Sequence, residues 1–132
     1  MAVGLHAVNL ANPWLNMLAG TAFTAPAASA ARLHTGDPGA AGTSNLSAEA
    51  TRKAQTWSAA SAGSKAITTT LPSWPSWSAG TETISHIANW DNVTTGAGNF
   101  LYSYALAVAK QVTNGDTLNL TAHSISFTPI AA

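Results

Sequence analysis

Alternating side chains in the segment GNFLYSYALAVAK, residues 98–110, restrict the fold more than any other feature of the sequence. Large apolar residues occupy every second position there, and mostly small residues lie between them. Because successive side chains of a strand point to opposite faces, this pattern predicts a long strand with one buried face. The large residues are Phe100, Tyr102, Tyr104, Leu106 and Val108.

A turn signal follows this strand. The segment VTNGDT contains Asn114-Gly115, the strongest short-range signal for a two-residue hairpin turn. The expected return strand carries apolar residues at 118, 120 and 122, and past His123 the apolar positions shift to 125 and 127. A shift of one residue exchanges the two faces of a strand, so we expect a bulge or bend near residues 122–124.

Four other segments, 27–34, 52–59, 65–71 and 82–90, have the composition of short strands separated by turn residues. Pro72 and Pro75 exclude both a helix and a central strand between the last two. The pattern predicts a mainly β fold, an antiparallel β-sandwich or jelly-roll-like barrel with one short N-terminal α-helix. A chain of 132 residues fits a single domain, with a helical segment at 1–20 and a β-domain at 21–132.

The N-terminal helix is predicted from a different periodicity. Asn12-Pro13 is typical of an N-cap and first helical residue, Gly20 is a typical stop, and Asn9 could begin the helix one turn earlier. Positions 8, 11, 15 and 18 share one helical face, and Trp14 and Met17 lie beside it. Because the helix is apolar on more than one side, we expect Trp14 and Met17 to contact another protein.

Charged residues are scarce in this sequence. They make up 8% of it, and five basic residues balance five acidic ones. Nucleic-acid binding needs a clustered basic surface, so no nucleic-acid partner is expected, whereas a neutral chain tends to associate with other proteins. The N-terminus has no basic residue before its apolar part and no apolar run approaches about 20 residues. We therefore expect a soluble protein with no membrane partner, which leaves its cell by a route other than secretion.

The glycine-rich stretch LHTGDPGAAGTSN, residues 33–45, is a candidate phosphate loop. Such a loop needs a lysine after its glycines, whereas this stretch has none, carries an acid that would repel an anion, and loses a backbone donor at its proline. We therefore expect a turn held by hydrogen bonds of His34 and Asp37. The residues expected to form structural turns are His34, Gly36, Asp37, Pro38 and Gly39 here, and Asn114 and Gly115 in the hairpin.

No combination of residues in the sequence indicates catalysis. The five acids lie in or beside turns, where carboxylates favour local backbone hydrogen bonds. The four histidines show no metal-binding spacing, and the chain has no cysteine and no G-x-S-x-G motif. We expect a protein that is not an enzyme, with no catalytic residue, no metal site and no cofactor.

Trp74 and Trp77 lie in the Pro- and Ser-rich loop LPSWPSWSAG, and three interpretations of them stay open. The rings can cover the core, bury at a contact with another protein, or form an exposed stacking platform for a sugar. The first two interpretations carry more weight, because each ring removes a large apolar area from water.

The order of these segments resembles a family of small structural proteins of long-tailed bacteriophages, labelled tail fibre or minor tail proteins. The resemblance is carried by NLANPWLNMLAGTAFTAP, ARLHTGDPGAAGTSN, ETISHIANWD, GNFLYSYALA and VTNGDTLNLTA. It covers nearly the whole chain, and its motifs are turns and core strands rather than catalytic residues. The resemblance implies a non-enzymatic virion component, present in many copies and assembled in the cytoplasm of the bacterial host.

Three functions follow as expectations. The first is an accessory minor tail or tail-fibre-type component that binds other virion proteins and forms a homo-oligomer, with a trimer as the candidate state. The second is a decoration protein on the outer surface of the capsid. The third is a module that binds host-surface carbohydrate through Trp74 and Trp77.

Overall fold

A five-stranded antiparallel sheet organises the chain in the computed structural model, which describes residues 3–128. Its strand order is β1–β7–β6–β2–β3, and two short ribbons, β4–β9 and β5–β8, complete the strands of the described part. The strands are β1 (Gly4–Leu5), β2 (Ala30–His34), β3 (Lys53–Ala54), β4 (Ser64–Ala66), β5 (Ser73–Trp74), β6 (Glu82–Trp90), β7 (Phe100–Val112), β8 (Leu118–Asn119) and β9 (Ser124–Ser126). The predicted mainly β, antiparallel fold with one short helix is confirmed.

The centre of the sheet is formed by β2, β6 and β7. Cross-strand pairs such as Leu33↔Ile87 and Ile87↔Tyr104 place apolar side chains of three strands on one face, as their alternation requires. Residues between them, such as Ala88, face the other side and are also buried. Both faces of the central strands are therefore covered.

The two ribbons cover the first of these faces and give the fold its second layer. Trp74 of β5 joins one core cluster with Leu33 and Ile87 of the large sheet, and Leu118 of β8 packs against it. The buried members of this core are Ala31, Leu33, Ile67, Trp74, Trp77, Ile84, Ile87, Val112 and Leu120. The layers meet as in a β-sandwich, where apolar side chains of the two inner faces form the core.

The prediction that residues 118–122 pair with residues 100–112 in a hairpin is wrong. Asn114 and Gly115 do form a turn, but β8 pairs with β5 and not with β7. The turn itself docks on the Pro-rich loop, because the Gly115 N–H donates to the Trp77 carbonyl at 2.8 Å and the Trp77 N–H donates to the Asp116 carbonyl at 2.9 Å. These contacts direct the chain out of the large sheet and into the second layer.

The expected bend near residues 122–124 coincides with a change of ribbon. The chain leaves β8 at Asn119 and pairs again from Ser124 in β9, whose partner is β4. The longer strands expected at 52–59 and 65–71 shrink to β3 and β4 with one bridge between Trp57 and Ile67.

The N-terminal helical segment begins earlier than Asn12. A π-helical turn, Ala7–Ala11, precedes α1, which spans Asn12–Met17. Nδ1 of His6 accepts the Asn9 N–H at 3.0 Å, so a histidine caps the segment where an asparagine was expected. Pro13 lies at the start of α1, directly after the π-helical turn.

Candidate functional site

The glycine-rich stretch folds into a closed turn at the end of β2. Nδ1 of His34 donates to the Ser44 carbonyl at 2.8 Å, the Asp37 carboxylate accepts the Gly39 N–H at 2.9 Å, and Nδ2 of Asn45 donates to the Asp37 carbonyl at 2.8 Å. Burial lowers the pKa of His34, so its neutral form is favoured. These hydrogen bonds join residues of the same stretch and stabilise the conformation of the turn.

Packing closes the same turn against the sheet. Gly42 has a φ of +69°, and a Cβ at that position would lie 2.5 Å from the Phe100 ring. A Cβ at Gly36 would lie 3.1 Å from the Asn45 side chain, and Pro38 is fully buried. The glycines thus permit close contact between the turn and the sheet. The N–H groups of Gly39, Gly42 and Ser44 donate to acceptors within the turn.

Trp74 and Trp77 lie in the core, each with 2% of its surface exposed. The Trp74 indole N–H donates to the Thr51 carbonyl at 3.0 Å, and that of Trp77 donates to the Gly80 carbonyl at 2.9 Å. Both polar atoms are therefore satisfied inside the fold. A sugar-stacking platform does not exist at these two rings, because neither ring face is open to solvent.

The Asn114-Gly115 turn is tied to the same loop. Oδ1 of Asn114 accepts the Gly80 N–H at 2.9 Å, and the Asp116 carboxylate accepts the Thr113 N–H at 2.8 Å. Gly115 has a φ of +92° with open space around it, so glycine is required there by the backbone conformation and not by crowding.

The acidic side chains also accept hydrogen bonds within the fold. The Glu82 carboxylate accepts the Ser47 hydroxyl at 2.5 Å and the Ala48 N–H at 2.9 Å, and the Asp91 carboxylate accepts the Asn99 N–H at 2.6 Å. Within residues 3–128, no group of three or more His, Cys, Asp or Glu side chains could hold a metal ion.

A buried polar cluster was missed at the level of sequence. The His123 ring stacks on Tyr104 with centroids 3.8 Å apart, and a hydrogen bond of 3.2 Å joins its Nε2 to the Tyr102 hydroxyl. Burial raises the pKa values of both tyrosines and lowers that of His123 to about 4. Beside them, the Gln55 side-chain amide donates to Oδ1 of the fully buried Asn89. Only the shared parity of the two tyrosines and the parity break at His123 pointed to this cluster.

The N-terminal segment presents a different surface. Six large apolar residues are exposed on it, from 36% for Val3 to 82% for Leu18. They are Val3, Leu5, Val8, Leu15, Met17 and Leu18. Residues 1–31 contain no Asp, Glu, Lys or Arg, so the surface is apolar and uncharged. Exposed apolar surface concentrated in one segment marks a candidate contact with other proteins.

Trp14 anchors this segment to the β layers. Its ring lies edge-on to Phe127, with centroids 5.4 Å apart, and 6.4 Å from the Phe23 ring. It is half-buried, whereas Met17 is 52% exposed. The two residues expected at a contact are therefore both accessible, and Trp14 also holds the helical segment in place.

No helix in the described part of the chain has the length and apolar character to cross a membrane. No curated protein matches the sequence significantly. Residues 7–128 match the family model described as podophage GP4 fiber I protein gp80. The predicted kinship with tail-fibre-type virion proteins is confirmed, although a podophage has a short tail and the motifs resembled proteins of long-tailed phages. Because the match covers almost all of its length, the chain belongs to the podophage GP4 fiber I protein gp80 family and is a structural, fibre-type component of a phage virion.

Proposed function

We propose that this protein is an accessory component of the phage tail or its fibres that acts by protein–protein assembly and catalyses no reaction. The observation that carries the proposal is the uncharged, exposed apolar surface of residues 3–18. Trp14 and Met17 belong to its contact area. The partners are other virion proteins and further copies of the chain, with a trimer as the state to be tested; nucleic acid, membrane and cofactors take no part.

The solvent exposure of the N-terminal surface supports this proposal energetically. Covering apolar surface contributes roughly 25 cal/mol per Å², so exposed side chains such as Leu18 and Val8 stabilise an assembly once a partner covers them. The chain carries no net charge to keep free copies apart. Such a surface is typical of a protein that functions as a bound component of a larger particle.

The state of the polar side chains supports a structural rather than a catalytic role. His34, Asp37 and Glu82 hold turns and loops, and His123 is stacked between aromatic residues. A catalytic acid or base needs to be within reach of a substrate, whereas these groups are occupied by the fold.

The test is incorporation into particles. Phage carrying Leu15→Asp should yield virions with at least about tenfold less of this protein by quantitative mass spectrometry, because a buried aspartate without a partner opposes the contact. Val108→Asp is the matched control, since Val108 is 80% exposed and lies on β7, away from residues 3–18. Absence of the wild-type protein from purified virions would reject the function. Normal incorporation of Leu15→Asp would reject the N-terminal contact alone.

Capsid decoration remains the alternative within the same class. Copy number distinguishes the two positions, because a decoration protein is present in hundreds of copies and a tail component in few. Cryo-EM of the same particles would place the density on the head or on the tail. Density on the head would replace the tail assignment and leave the assembly role intact.

A further inference from the structure

The turn at Asn114-Gly115 carries a chemically reactive pair of residues. Asn114 is the single one of the nine asparagines in the sequence that precedes a glycine. The backbone nitrogen after an asparagine can attack the side-chain amide carbon, and glycine, which has no Cβ, shields that nitrogen least. Both residues are exposed, and a Cβ at Gly115 would have no atom within 4 Å. Crowding therefore does not protect the pair from this reaction.

Two hydrogen bonds to the Pro-rich loop hold the reacting groups instead. The Gly115 N–H, which carries the attacking nitrogen, donates to the Trp77 carbonyl at 2.8 Å. Oδ1 of Asn114, on the carbon that is attacked, accepts the Gly80 N–H at 2.9 Å. For ring closure the nitrogen must lose its proton and turn toward its own side chain, and the bond to Trp77 prevents both. The pair can therefore react only after the turn leaves the loop.

We propose that Asn114 is a site of spontaneous deamidation and that undocking of the turn from the loop at residues 77–80 controls its rate. In the undocked turn, the Gly115 nitrogen gives its proton to hydroxide and forms a bond to Cγ of Asn114. The Cγ–Nδ2 bond breaks, Nδ2 takes up a proton from water and leaves as ammonia, and a succinimide ring remains. Water then opens the ring at either carbonyl. The product is aspartate or isoaspartate, and the overall reaction consumes one water and releases one ammonia.

The two products differ in their effect on the turn. Aspartate keeps the backbone length, and its carboxylate can still accept the Gly80 N–H. Isoaspartate routes the backbone through the former side chain and lengthens it by one methylene, so the turn no longer fits its contacts with Gly80 and Trp77. Because those contacts direct the chain into the second layer, isoaspartate loosens the packing of that layer. This inference is independent of the proposed assembly role.

Peptide mapping of the purified full-length chain tests the proposal. The protein is incubated at mildly alkaline pH, folded or in urea, and mass spectrometry follows the tryptic peptide after Lys110, which contains Asn114 and Asn119. The mass gain from amide to acid should appear at Asn114 about 10- to 100-fold more slowly in the folded protein, because the hydrogen bonds must open first. Asn119 precedes leucine, so in urea it should react far more slowly than Asn114.

Hydrogen exchange provides an independent measure of the undocking. Exchange of the Gly115 N–H also requires its bond to the Trp77 carbonyl to break. The protection factor of the Gly115 amide should therefore agree within about threefold with the slowing of deamidation at Asn114. A mismatch of more than about tenfold would show that another event limits the reaction, and it would overturn the control by undocking.

Asp116→Ala tests the same link by mutation. The Asp116 carboxylate accepts the Thr113 N–H at 2.8 Å and the Thr113 hydroxyl at 3.1 Å, so the variant loosens the turn without changing the reactive pair. The ratio of unfolded to folded rates should fall at least about threefold, whereas Thr117→Ala, at an exposed residue outside these bonds, should keep the wild-type ratio. An unchanged ratio in Asp116→Ala, or equal rates in folded and unfolded wild type, overturns the control by undocking. No mass gain at Asn114 in urea, or an equal gain in Asn114→Gln, overturns the site.

Discussion

The central sheet and the N-terminal segment are both rich in apolar residues, yet those of the sheet are buried and those of the segment are exposed to solvent. Ala30, Ala31 and Leu33 of β2 have no exposed surface, whereas Leu18 of the N-terminal segment is 82% exposed. The sheet is covered on both faces, by the ribbons on one side and by turns on the other. The helical segment packs on one side only. Apolar content alone therefore does not distinguish a core from a contact surface; the number of covered faces does.

The tryptophans of the two regions show the same contrast. Trp77 is 2% exposed and donates its indole N–H to a carbonyl within the core. Trp14 is half-buried, and edge contacts with Phe23 and Phe127 hold it. The Trp77 ring therefore stabilises the fold, whereas the Trp14 ring also positions the segment proposed to contact other proteins.

The largest effect should come from Trp77→Ala. Removing a fully buried ring costs transfer free energy and leaves a cavity, so we expect a loss of about 3–5 kcal/mol in the free energy of unfolding, measured by urea denaturation. Trp77→Phe keeps most of the ring and should lose less than half as much. Equal losses for both variants would show that the hydrogen bond to Gly80, rather than packing, dominates.

The second-largest loss of stability should come from replacing Arg52, a charged residue that is buried in the fold. Its Nη1 donates to three backbone carbonyls of the 91–99 turn, those of Asn92, Thr94 and Ala97, at 2.6–3.0 Å. Its guanidinium also lies 3.9 Å from the centroid of the Trp90 ring. Arg52→Met keeps the aliphatic part but removes the donors, so we expect a loss of about 2–3 kcal/mol by the same measurement.

The neighbouring Lys53 provides the control for Arg52. Lys53→Met removes a basic residue at the adjacent position without touching this cage of carbonyls, and it should change stability by less than about 0.5 kcal/mol. If the two methionine variants lose similar free energy, net charge and not the carbonyl cage explains the effect.

His123 should give the stability of the core a dependence on pH. Its folded pKa of about 4 lies below its ordinary value, so the unfolded chain binds a proton that the folded chain does not. Stability should be fully present above about pH 6.5 and fall as the pH drops toward 4, by about 1–2 kcal/mol after allowance for solvent screening of a partly exposed ring. Burial lowers the pKa of His34 as well, which adds to the slope with the same sign.

His123→Phe keeps a ring on Tyr104 and removes the titrating group. Urea midpoints of this variant should therefore change less between pH 7 and pH 4.5 than those of wild type. An unchanged slope would assign the pH dependence to His34 instead.

How far the sequence predicts this molecule depends on the range of the contacts involved. Strand alternation and turn residues are local, so the mainly β fold and the turns at Gly39 and Gly115 follow from short stretches. The partner of β8 does not, because long-range docking of Trp77 on the Asn114-Gly115 turn decides it. The sequence favoured burial of Trp74 in the core or at a contact without deciding between the two, because the elements that cover the ring are distant in sequence. The exposed apolar surface of residues 3–18 is predicted only as excess apolarity of the helix, since helical periodicity does not state which face is covered.

Trp14→Ala should affect folding less than Trp77→Ala or Arg52→Met, and it should have the most informative effect on assembly. The ring is half-buried and lies outside the main core cluster, so we expect a loss of about 1 kcal/mol in isolated protein, well below that of Trp77→Ala. The ring also orients the helical segment through Phe23 and Phe127, so incorporation into particles should fall severalfold. Parallel urea denaturation and mass spectrometry of virions measure the two effects. A variant that unfolds outright would place Trp14 in the core with Trp77, and a variant that is both stable and normally incorporated would remove the helical segment from the contact.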